Sequence, residues 1–401
     1  MFPQEPKNKK IVYLDNAAAT SCSRDVFDAM KPYFQEKYGN PSAFYSIGVT
    51  ARKAIEDSRK TVADLLHAQP DTIIFTSGGT ESINLGILGF ARKHKNAGKH
   101  IITTKVEHHA VLNTLRHLEK EGFEITFLNV DKEGYINLDE FRDALRKDTI
   151  LISIMYANNE IGTILPIADI GREILKRRKD CKSLYPFFHT DACQAPSYLD
   201  LDVEKLHVDL MSLNGSKIYG PKGSGLLYKR RGLEINPIMY GGGQEMSLCP
   251  GTENIAGIVG FSKALELAQK NINSKEVEDV RNYFWDQIKN NISDVEINGV
   301  DLDSKNRLPN NLNVQFKGVE VDSLIMYMDK YGVICSSGSA CTSDSDEASH
   351  VLQACGVDNE NIKSSVRFTL SCDTTLEDID YVMKYLPEVV KELRLNKVIS
   401  D

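Results

Sequence analysis

The chain has 401 residues, 41% of them hydrophobic, so it can bury a substantial core, and its length favours two domains over one. Its 48 Lys and Arg residues against 56 Asp and Glu residues give a net charge of −8, which argues against nucleic acid as the main partner. No segment has the apolar core of a signal peptide or the length of a membrane span, so we expect a cytoplasmic protein with no membrane partner.

Residues 20–265 alternate short apolar runs with amphipathic helical stretches, which is the pattern of an α/β fold with a mostly parallel mixed sheet. The predicted strands, in chain order, are "TIIFTS", "HIITT", "FEITFLNV", "TILISIMYA", "LYPFFHTD" and "VDLMSL". From residue 266 the mixture of helices and strands predicts a smaller α+β domain over 266–401, completed by residues 1–19. We therefore expect a large domain followed by a small C-terminal domain.

Eight cysteines are scattered along the chain without CxxC pairs, so we expect neither a metal site nor a disulfide framework. Cys341 lies in "GSACTSDSDEASH", a segment too rich in Ser, Gly and Asp to pack into a core. This composition predicts a mobile surface loop with one exposed thiol. The alternative is a cysteine that merely happens to lie in a loop. Cys335, in the preceding strand, is predicted to belong to the core.

The stretch "DTIIFTSGGTESINLGILGF" predicts a strand, a Gly-Gly turn and a helix. Ser77 and Thr80 suit helix N-caps, and the glycines let backbone N–H groups approach an anion at the positive end of the helix. The stretch matches neither the Walker loop nor the Rossmann fingerprint. It predicts a binding site for one phosphate, the phosphate seat, at the turn from Ser77 to Thr80. On its own, such a turn is more often only a strand-to-helix connection.

A lysine and an aspartate become informative if that phosphate belongs to pyridoxal phosphate, which needs an amine for its aldehyde carbon and an anion facing its pyridine nitrogen. Lys217 in "NGSKIYG" follows a strand and lies among small residues that leave room for a ring, whereas Lys222 and Lys229 look like surface lysines. Asp191 stands where an apolar strand ends, at the edge where ligands collect in open α/β sheets. Taken singly, each could be a solvated or turn residue.

Two adjacent histidines follow another predicted strand, in "TTKVEHHAVLN". Either could lie against the ring or carry protons, and either could simply cap the helix that follows. Position in the sequence does not choose between His108 and His109.

Together these segments resemble the cysteine desulfurases of the class V aminotransferase family, fold-type I enzymes that use pyridoxal phosphate. The matching segments run from Tyr13 to Ser371 and are "YLDNAAAT", "GNPS", "TSGGTES", "EHHAV", "NNEIG", "HTDACQA", "SKIYGPKG", "GGGQE", "GTEN", "SSGSACTS" and "SVRFTLS". The most specific is "SSGSACTS", because it resembles the catalytic-cysteine loop of the branch that supplies sulfur for iron–sulfur cluster assembly and tRNA thiolation.

The resemblance implies a role for each residue at a matching position. Lys217 forms the Schiff base with the cofactor, Cys341 is the nucleophile and His108 stacks on the ring. The other cofactor positions are Gly79, Thr80 and Ser216 at the phosphate, Asp191 at the pyridine nitrogen, Gln194 at the ring hydroxyl, Asn159, and Thr252 from the second subunit of a homodimer. The substrate carboxylate is held by Asn159 and Arg367, whose planar guanidinium suits two-point contact.

The same resemblance implies the reaction. L-cysteine is converted to L-alanine while the Cys341 thiolate takes the sulfur as a persulfide and passes it to an acceptor protein. One alternative is a related lyase or transaminase, such as a selenocysteine lyase, which would not need the thiol of Cys341. The other is a catalytically decayed scaffold on the same fold, which would have no reason to keep the functional residues together.

Five positions depart from the pattern of that family. They are Tyr45 and Ser216 where histidines are customary, Asn214 in place of a serine, Cys249 near the place of an arginine, and Cys372 in place of a larger residue. Serine and asparagine still form hydrogen bonds with an anion, so we expect adjusted rather than lost cofactor binding.

Overall fold

The computed structural model describes residues 2–6, 8–270, 272, 275–338 and 348–400, with side chains up to residue 396. Segment 339–347, and with it Cys341, lies outside the described residues. In the part of the chain that the structure describes, no helix has the length and apolar character to cross a membrane. The same part contains no group of three or more His, Cys, Asp or Glu side chains placed to hold a metal ion.

The described residues form twelve strands in three sheets. The strands are β1 (Val12–Tyr13), β2 (Ile73–Thr76), β3 (His100–Thr104), β4 (Glu124–Leu128), β5 (Thr149–Ser153), β6 (Phe187–Asp191), β7 (Leu210–Asn214), β8 (Gly225–Lys229), β9 (Val295–Ile297), β10 (Asn311–Phe316), β11 (Val333–Ile334) and β12 (Ser365–Thr369). The largest sheet has the order β2-β8-β7-β6-β5-β3-β4, and the smaller sheets are β12-β10-β9 and β1-β11.

Helices connect most of these strands. They are α1 (Arg24–Met30), α2 (Pro32–Gln35), α3 (Ser46–Leu65), α4 (Gly79–Asn84), α5 (Phe90–His94), α6 (His109–Lys120), α7 (Leu138–Ala144), α8 (Ile167–Cys181), α9 (Val203–Leu206), α10 (Gln244–Ser247), α11 (Ile255–Lys270), α12 (Lys275–Asn291), α13 (Val321–Lys330), α14 (His350–Ala354), α15 (Asn359–Ile362), α16 (Leu376–Met383) and α17 (Leu386–Ser400). A π-helical segment, Leu85–Gly89, joins α4 to α5. A short 3-10 turn, Gly215–Lys217, follows β7 directly.

The large sheet is mixed but mostly parallel. Strands β4, β3, β5, β6 and β7 pair in parallel, and β8 runs antiparallel to both β7 and β2. The predicted fold class is therefore confirmed. Strand β8 was not predicted, because its run "GLLYK" is short and follows a Gly-rich turn that contains a proline.

Both faces of the large sheet are covered. Successive strand residues point to opposite faces, so Ile73 and Phe75 enter one apolar cluster and Ile74 enters another. Helices α3 and α11 pack against each other on the first face, and α6 supplies buried residues to the second. Burial on two sides explains why these strands are rich in apolar residues without a strict polar alternation, each large buried apolar side chain contributing about 1.5–3 kcal/mol.

The C-terminal part has its own antiparallel sheet and apolar cluster. Strand β10 pairs with β12, in a register that places Asn313 opposite Arg367. Leu14 belongs to this cluster, and β1 pairs in parallel with β11, so N-terminal residues pack with C-terminal ones. Cys335, predicted as core, is buried here. The domain boundaries 20–265 and 266–401 stay a prediction.

Candidate active site

A cavity of about 220 Å³ lies at the carboxyl ends of strands β2, β3, β5, β6 and β7. Parallel strands end at the same edge of a sheet, so the residues that follow them converge there. Eight of the predicted site residues line this cavity: Gly79, Thr80, His108, Asn159, Asp191, Gln194, Lys217 and Arg367. Residues nearly three hundred positions apart in the sequence thus meet in one place.

Among the described residues, two predicted site residues do not line the cavity. Ser216 lies beside it, because its backbone N and Oγ both donate at 3.1 Å to Oδ1 of Asn214, which is a lining residue. Thr252 is exposed on the surface of this chain. Cys341 lies outside the described residues, but Gly338, three positions earlier, lines the cavity.

The amine of Lys217 is held by main-chain oxygens of the N-terminal segment. The turn Gly215–Lys217 carries this side chain from the end of β7 to the cavity. Its Nζ donates to the carbonyl oxygen of Ala17 at 2.9 Å and also to that of Ala18. Nε2 of Gln194 donates to the same Ala17 oxygen at 3.0 Å. The amine and the amide therefore share one wall of the cavity.

Asp191 ends β6 and is almost fully buried at the cavity. Its Oδ1 accepts from the backbone N of Cys193 at 3.0 Å. Two positions earlier, the ring of His189 lies between the hydroxyls of Ser153 and Ser212, at 2.8 and 3.0 Å, and burial lowers its pKa to about 4. Burial, followed by the charge of Asp191, raises the pKa of the Cys193 thiol. At neutral pH the histidine and the thiol are therefore both uncharged.

The structure distinguishes the two adjacent histidines. His108 is the N-cap of α6, its Nδ1 accepts from the backbone N of Ala110 at 3.1 Å, and it also lines the cavity. His109 is the first residue of the helix and does not line the cavity, and its ring centroid lies 4.6 Å from that of His350. The position of His108 agrees with the predicted stacking role, which stays a prediction.

A buried carboxyl lies behind the cavity wall. Oε1 of Glu107 accepts from the backbone N of Met155 at 2.8 Å and from the hydroxyl of Thr104 at 2.9 Å. Its Oε2 is buried and has no partner among the described residues. Burial, reinforced by the charge of Asp191, raises the pKa of this carboxyl to about 8. Glu107 is therefore mostly protonated at neutral pH.

The predicted phosphate seat requires a glycine. A Cβ added to Gly79 would stand 2.7 Å from Sγ of Cys193, closer than such atoms normally approach. Gly79 is also the first residue of α4, so its bare backbone N–H is presented at the start of a helix beside the cavity. This geometry agrees with a seat for an anion.

The capping prediction for the same turn was wrong. The N-cap of α4 is Gly78, which has no side-chain capping bond, and Thr80 lies inside the helix. The backbone N of Ser77 donates to Oε2 of Glu81 at 2.6 Å, and the Ser77 hydroxyl donates to the same oxygen. The carboxylate of Glu81 thus accepts a hydrogen bond from the Ser77 hydroxyl, which was expected to cap the helix.

The guanidinium of Arg367 is 3% exposed and has a defined set of partners. Nη1 donates to the carbonyl oxygens of Asn159 at 3.1 Å and Gly338 at 3.3 Å, and Nη2 donates to Oδ1 of Asp15 at 2.7 Å. Nε is buried and has no partner among the described residues. The side chain therefore keeps an unused donor at a cavity that it lines.

Sequence reasoning missed three residues of this site: Asp15, Glu107 and Cys193. Each belongs to one of the quoted motifs, "YLDNAAAT", "EHHAV" and "HTDACQA", and the last two lie within two positions of a predicted site residue. For Glu107 and Cys193, the signal available in the sequence was their proximity to a predicted site residue within the same motif. Their partners are distant in sequence, so only folding reveals the contacts.

The fold and the cavity define a class of protein, and the comparisons with known proteins agree. The model of the family described as aminotransferase class-V matches residues 12–382, so the chain belongs to this family. The resemblance identified from the motifs is thereby confirmed.

Individual relatives are cysteine desulfurases. The chain is 49% identical over 389 residues to "Cysteine desulfurase IscS" of Dictyoglomus turgidum, with 96% of each protein covered. It is 48% identical over 387 residues to "Cysteine desulfurase IscS" of Methanosarcina thermophila, covering 96% of this chain and 93% of that protein. The solved structure "NIFS-LIKE PROTEIN" is 35% identical with a TM-score of 0.88, covering 96% of this chain and 100% of the other.

Proposed function

We propose that this protein is a cytoplasmic cysteine desulfurase that binds pyridoxal phosphate and converts L-cysteine to L-alanine, holding the released sulfur as a persulfide on Cys341. The observation that carries the proposal is the meeting of Lys217, Asp191 and Arg367 in one cavity, in a chain that matches cysteine desulfurases over 96% of its length. The cysteines among the described residues are free thiols, which suits a reducing compartment.

The residues at the cavity fit pyridoxal phosphate. The buried carboxylate of Asp191 suits a protonated pyridine nitrogen, the amine of Lys217 suits the aldehyde carbon, and the bare backbone at Gly79 suits the phosphate. When bound, the cofactor supplies an electron sink for the carbon that carries the substrate's amino group. The remaining contacts would come from Thr80 and Ser216 at the phosphate, Gln194 at the ring hydroxyl, Asn159 and His108 at the ring, and Thr252 of a second subunit.

Lys217 and Arg367 would orient the substrate and move its proton. The amine of Lys217 takes the proton from Cα of L-cysteine, as a general base within the cavity. The Ala17 and Ala18 carbonyls, which accept from Nζ, keep this amine in place when it carries no covalent bond. Arg367, together with Asn159, receives the carboxylate, and the Nε–H of the guanidinium, which has no partner in the described part of the chain, is a donor for it.

Sulfur transfer would then occur at Cys341. The thiolate attacks the sulfur of L-cysteine and forms a sulfur–sulfur bond on the enzyme. The carbon–sulfur bond of the substrate breaks, and its electron pair stays with the β-carbon, which takes up a proton. L-alanine leaves, and the terminal sulfur passes to an acceptor protein, such as one serving iron–sulfur cluster assembly or tRNA thiolation. The lining position of Gly338, three residues from Cys341, supports this route.

The test is a single turnover with the purified protein loaded with pyridoxal phosphate. We expect L-cysteine to give L-alanine and an equal amount of cyanide-reactive sulfur on the protein, because no acceptor is present. Cys341→Ser should form no protein-bound persulfide, whereas Cys181→Ser, at an exposed thiol, should behave like the wild type. Alanine formed without any protein persulfide would contradict the proposal in favour of a lyase. A protein that stays colourless after soaking with the cofactor would indicate a scaffold.

A homodimer is part of this proposal. Phe44 is 92% exposed and Met246 is 45% exposed, so both leave apolar surface that a partner could cover. Met246 lines a surface cavity of about 390 Å³ together with Ser42 and Glu253. Phe44 follows Ser42 by two positions, and Thr252 precedes Glu253. The cavity is thus lined by Met246 and by residues within two positions of Phe44 and Thr252, which supports a dimer in which Thr252 serves the partner's active site.

We expect a solution mass of about twice the 44.9 kDa of one chain, and a shift toward the monomer in Phe44→Asp, because a buried charge opposes association. Analytical ultracentrifugation measures both. Leu184→Asp is the matched control, because Leu184 is 75% exposed near the amino end of β6, at the opposite edge of the sheet from the cavity. Equal dimerisation of Phe44→Asp and the control would contradict this interface.

A further inference from the structure

Asp15 forms an ion pair with Arg367 at the candidate active site. Oδ1 of Asp15 lies 2.7 Å from Nη2 of Arg367, and the two side chains are 15% and 3% exposed. A guanidinium removed from water to this extent needs a compensating charge, unlike the partners of a solvated surface pair. The two residues are 352 positions apart in the sequence, so the pair is a product of the fold.

The described partners of Arg367 accept from Nη1 and Nη2 and leave Nε without a hydrogen bond. The carbonyl oxygens of Asn159 and Gly338 accept from Nη1, and Asp15 accepts from Nη2. Nε has no partner among the described residues, although it is buried. A guanidinium has five N–H donors in a planar fork, and a carboxylate can accept two of them side by side. The Nε–H and the second N–H of Nη2 are thus the donors that the described partners leave for a carboxylate.

The residues that follow Asp15 are attached to the strand of Arg367. Nδ2 of Asn16 donates to the carbonyl oxygen of Thr369 at 2.8 Å, and the backbone N of Ala17 donates to Oγ1 of Thr369 at 2.9 Å. Thr369 lies two positions after Arg367 on β12. Asp15 is therefore held against this strand by its neighbours as well as by its own side chain.

The same segment holds Lys217 at its other end. The carbonyl oxygens of Ala17 and Ala18 accept from Nζ of Lys217. Residues 15–18 thus connect the candidate amine with the candidate carboxylate donor. Because these residues are fixed by hydrogen bonds on both sides, they set the separation of the two groups.

We propose that Asp15 is a positioning residue, which holds Arg367 so that its remaining N–H donors bind the α-carboxylate of the amino-acid substrate. This inference rests on the proposed function of Arg367. It deepens that function, because it explains why an amino acid is selected over an amine. A ligand is oriented when its amino carbon lies at Lys217 and its carboxylate at Arg367, and an amine without a carboxylate uses only the first contact.

The test compares L-cysteine with cysteamine, which has the same thiol and amine but no carboxylate. Dissociation constants are measured on the loaded enzyme from the absorbance change of the cofactor, and KM and kcat are measured for L-cysteine. Asp15→Ala should weaken L-cysteine binding and raise its KM by about 10–100-fold, the equivalent of one charge-assisted hydrogen bond. The constant for cysteamine should not change, and kcat should change far less than KM.

Conservative and control variants separate positioning from general damage. Asp15→Asn keeps the shape and an acceptor oxygen, so it should retain most of the affinity for L-cysteine. Asp15→Ser, whose side chain is too short to reach Nη2, provides the same comparison if Asp15→Ala does not fold. Asp71→Ala, which breaks the exposed ion pair with Arg231, should leave both ligands unaffected.

The outcomes distinguish this inference from the function on which it rests. Equal weakening of both ligands in Asp15→Ala, or no weakening of either, overturns the positioning role. Arg367→Ala should remove most of the preference for L-cysteine. If Arg367→Ala keeps that preference, the proposed role of Arg367 is wrong. If the wild type forms no alanine, the proposed function itself fails.

Discussion

Replacing Lys217 with alanine is expected to lower alanine formation by at least about 10³-fold, because one amine both bonds the cofactor and moves the Cα proton. The variant should still bind pyridoxal phosphate reversibly, since Asp191 and the phosphate seat are unchanged. Borohydride treatment followed by mass spectrometry measures the covalent bond directly. The wild type should gain the mass of the cofactor on the peptide that contains Lys217, and the variant should gain none.

Lys222→Ala is the matched control for this experiment. Lys222 lies five positions along the chain in the same Gly-rich segment, is exposed, and donates from Nζ to the carbonyl oxygen of Thr20 at 2.6 Å. It does not line the cavity, so its loss should change alanine formation by less than about twofold. A cofactor label on Lys222, or full activity in Lys217→Ala, would contradict the assignment of the amine.

Much of the fold could be predicted because the buried strands carry a clear pattern. Strands such as β3 and β5 are buried on both faces, and their runs of isoleucine, leucine and threonine favour strand over helix and stand out against the amphipathic helices. Strand β8 gave a weaker signal, because its leading glycine and terminal lysine leave a run of three apolar or aromatic residues, which follows a Gly-rich turn that contains a proline. Its place between β2 and β7 depends on pairing that a local pattern does not contain.

The candidate site could be predicted only as far as single side chains have recognisable chemistry. Asp191 ends β6 and Lys217 follows β7, and the carboxyl ends of strands mark the ligand edge of an α/β sheet. Asp15 and Glu107 could not be assigned in this way. The role of Asp15 depends on its ion pair with Arg367. The raised pKa of Glu107 depends on its complete burial beside Met155. Both effects depend on residues brought together by folding.

The second large effect that we expect is a loss of stability with rising pH, caused by the buried carboxyl of Glu107. Its pKa is raised from the reference value of 4.5 to about 8, so between these limits the unfolded chain loses a proton that the folded chain keeps. The folded state therefore binds more protons than the unfolded state, and stability falls as pH rises through this window. At pH 7 this carboxyl alone lowers the unfolding free energy by roughly 3 kcal/mol compared with pH 4.

Glu107→Gln should remove this pH dependence. The amide keeps an oxygen that can accept from Met155 and Thr104, but it carries no proton that is lost at neutral pH. Urea unfolding of wild type and variant at pH 5, 7 and 8.5 measures the difference. We expect the variant to gain stability relative to the wild type with each rise in pH, by about 2–4 kcal/mol in total.

The comparison between the two proteins isolates one group, because every other titrating residue is the same in both. Glu119→Gln, an exposed position on α6, is the control and should leave the difference from the wild type nearly constant with pH. If the difference in unfolding free energy between Glu107→Gln and the wild type is also constant with pH, the Glu107 carboxyl of the wild type is already ionised in the folded protein. Asp191 would then share its buried surroundings with a second negative charge, whereas a neutral Glu107 leaves Asp191 as the anion available to a protonated ring nitrogen.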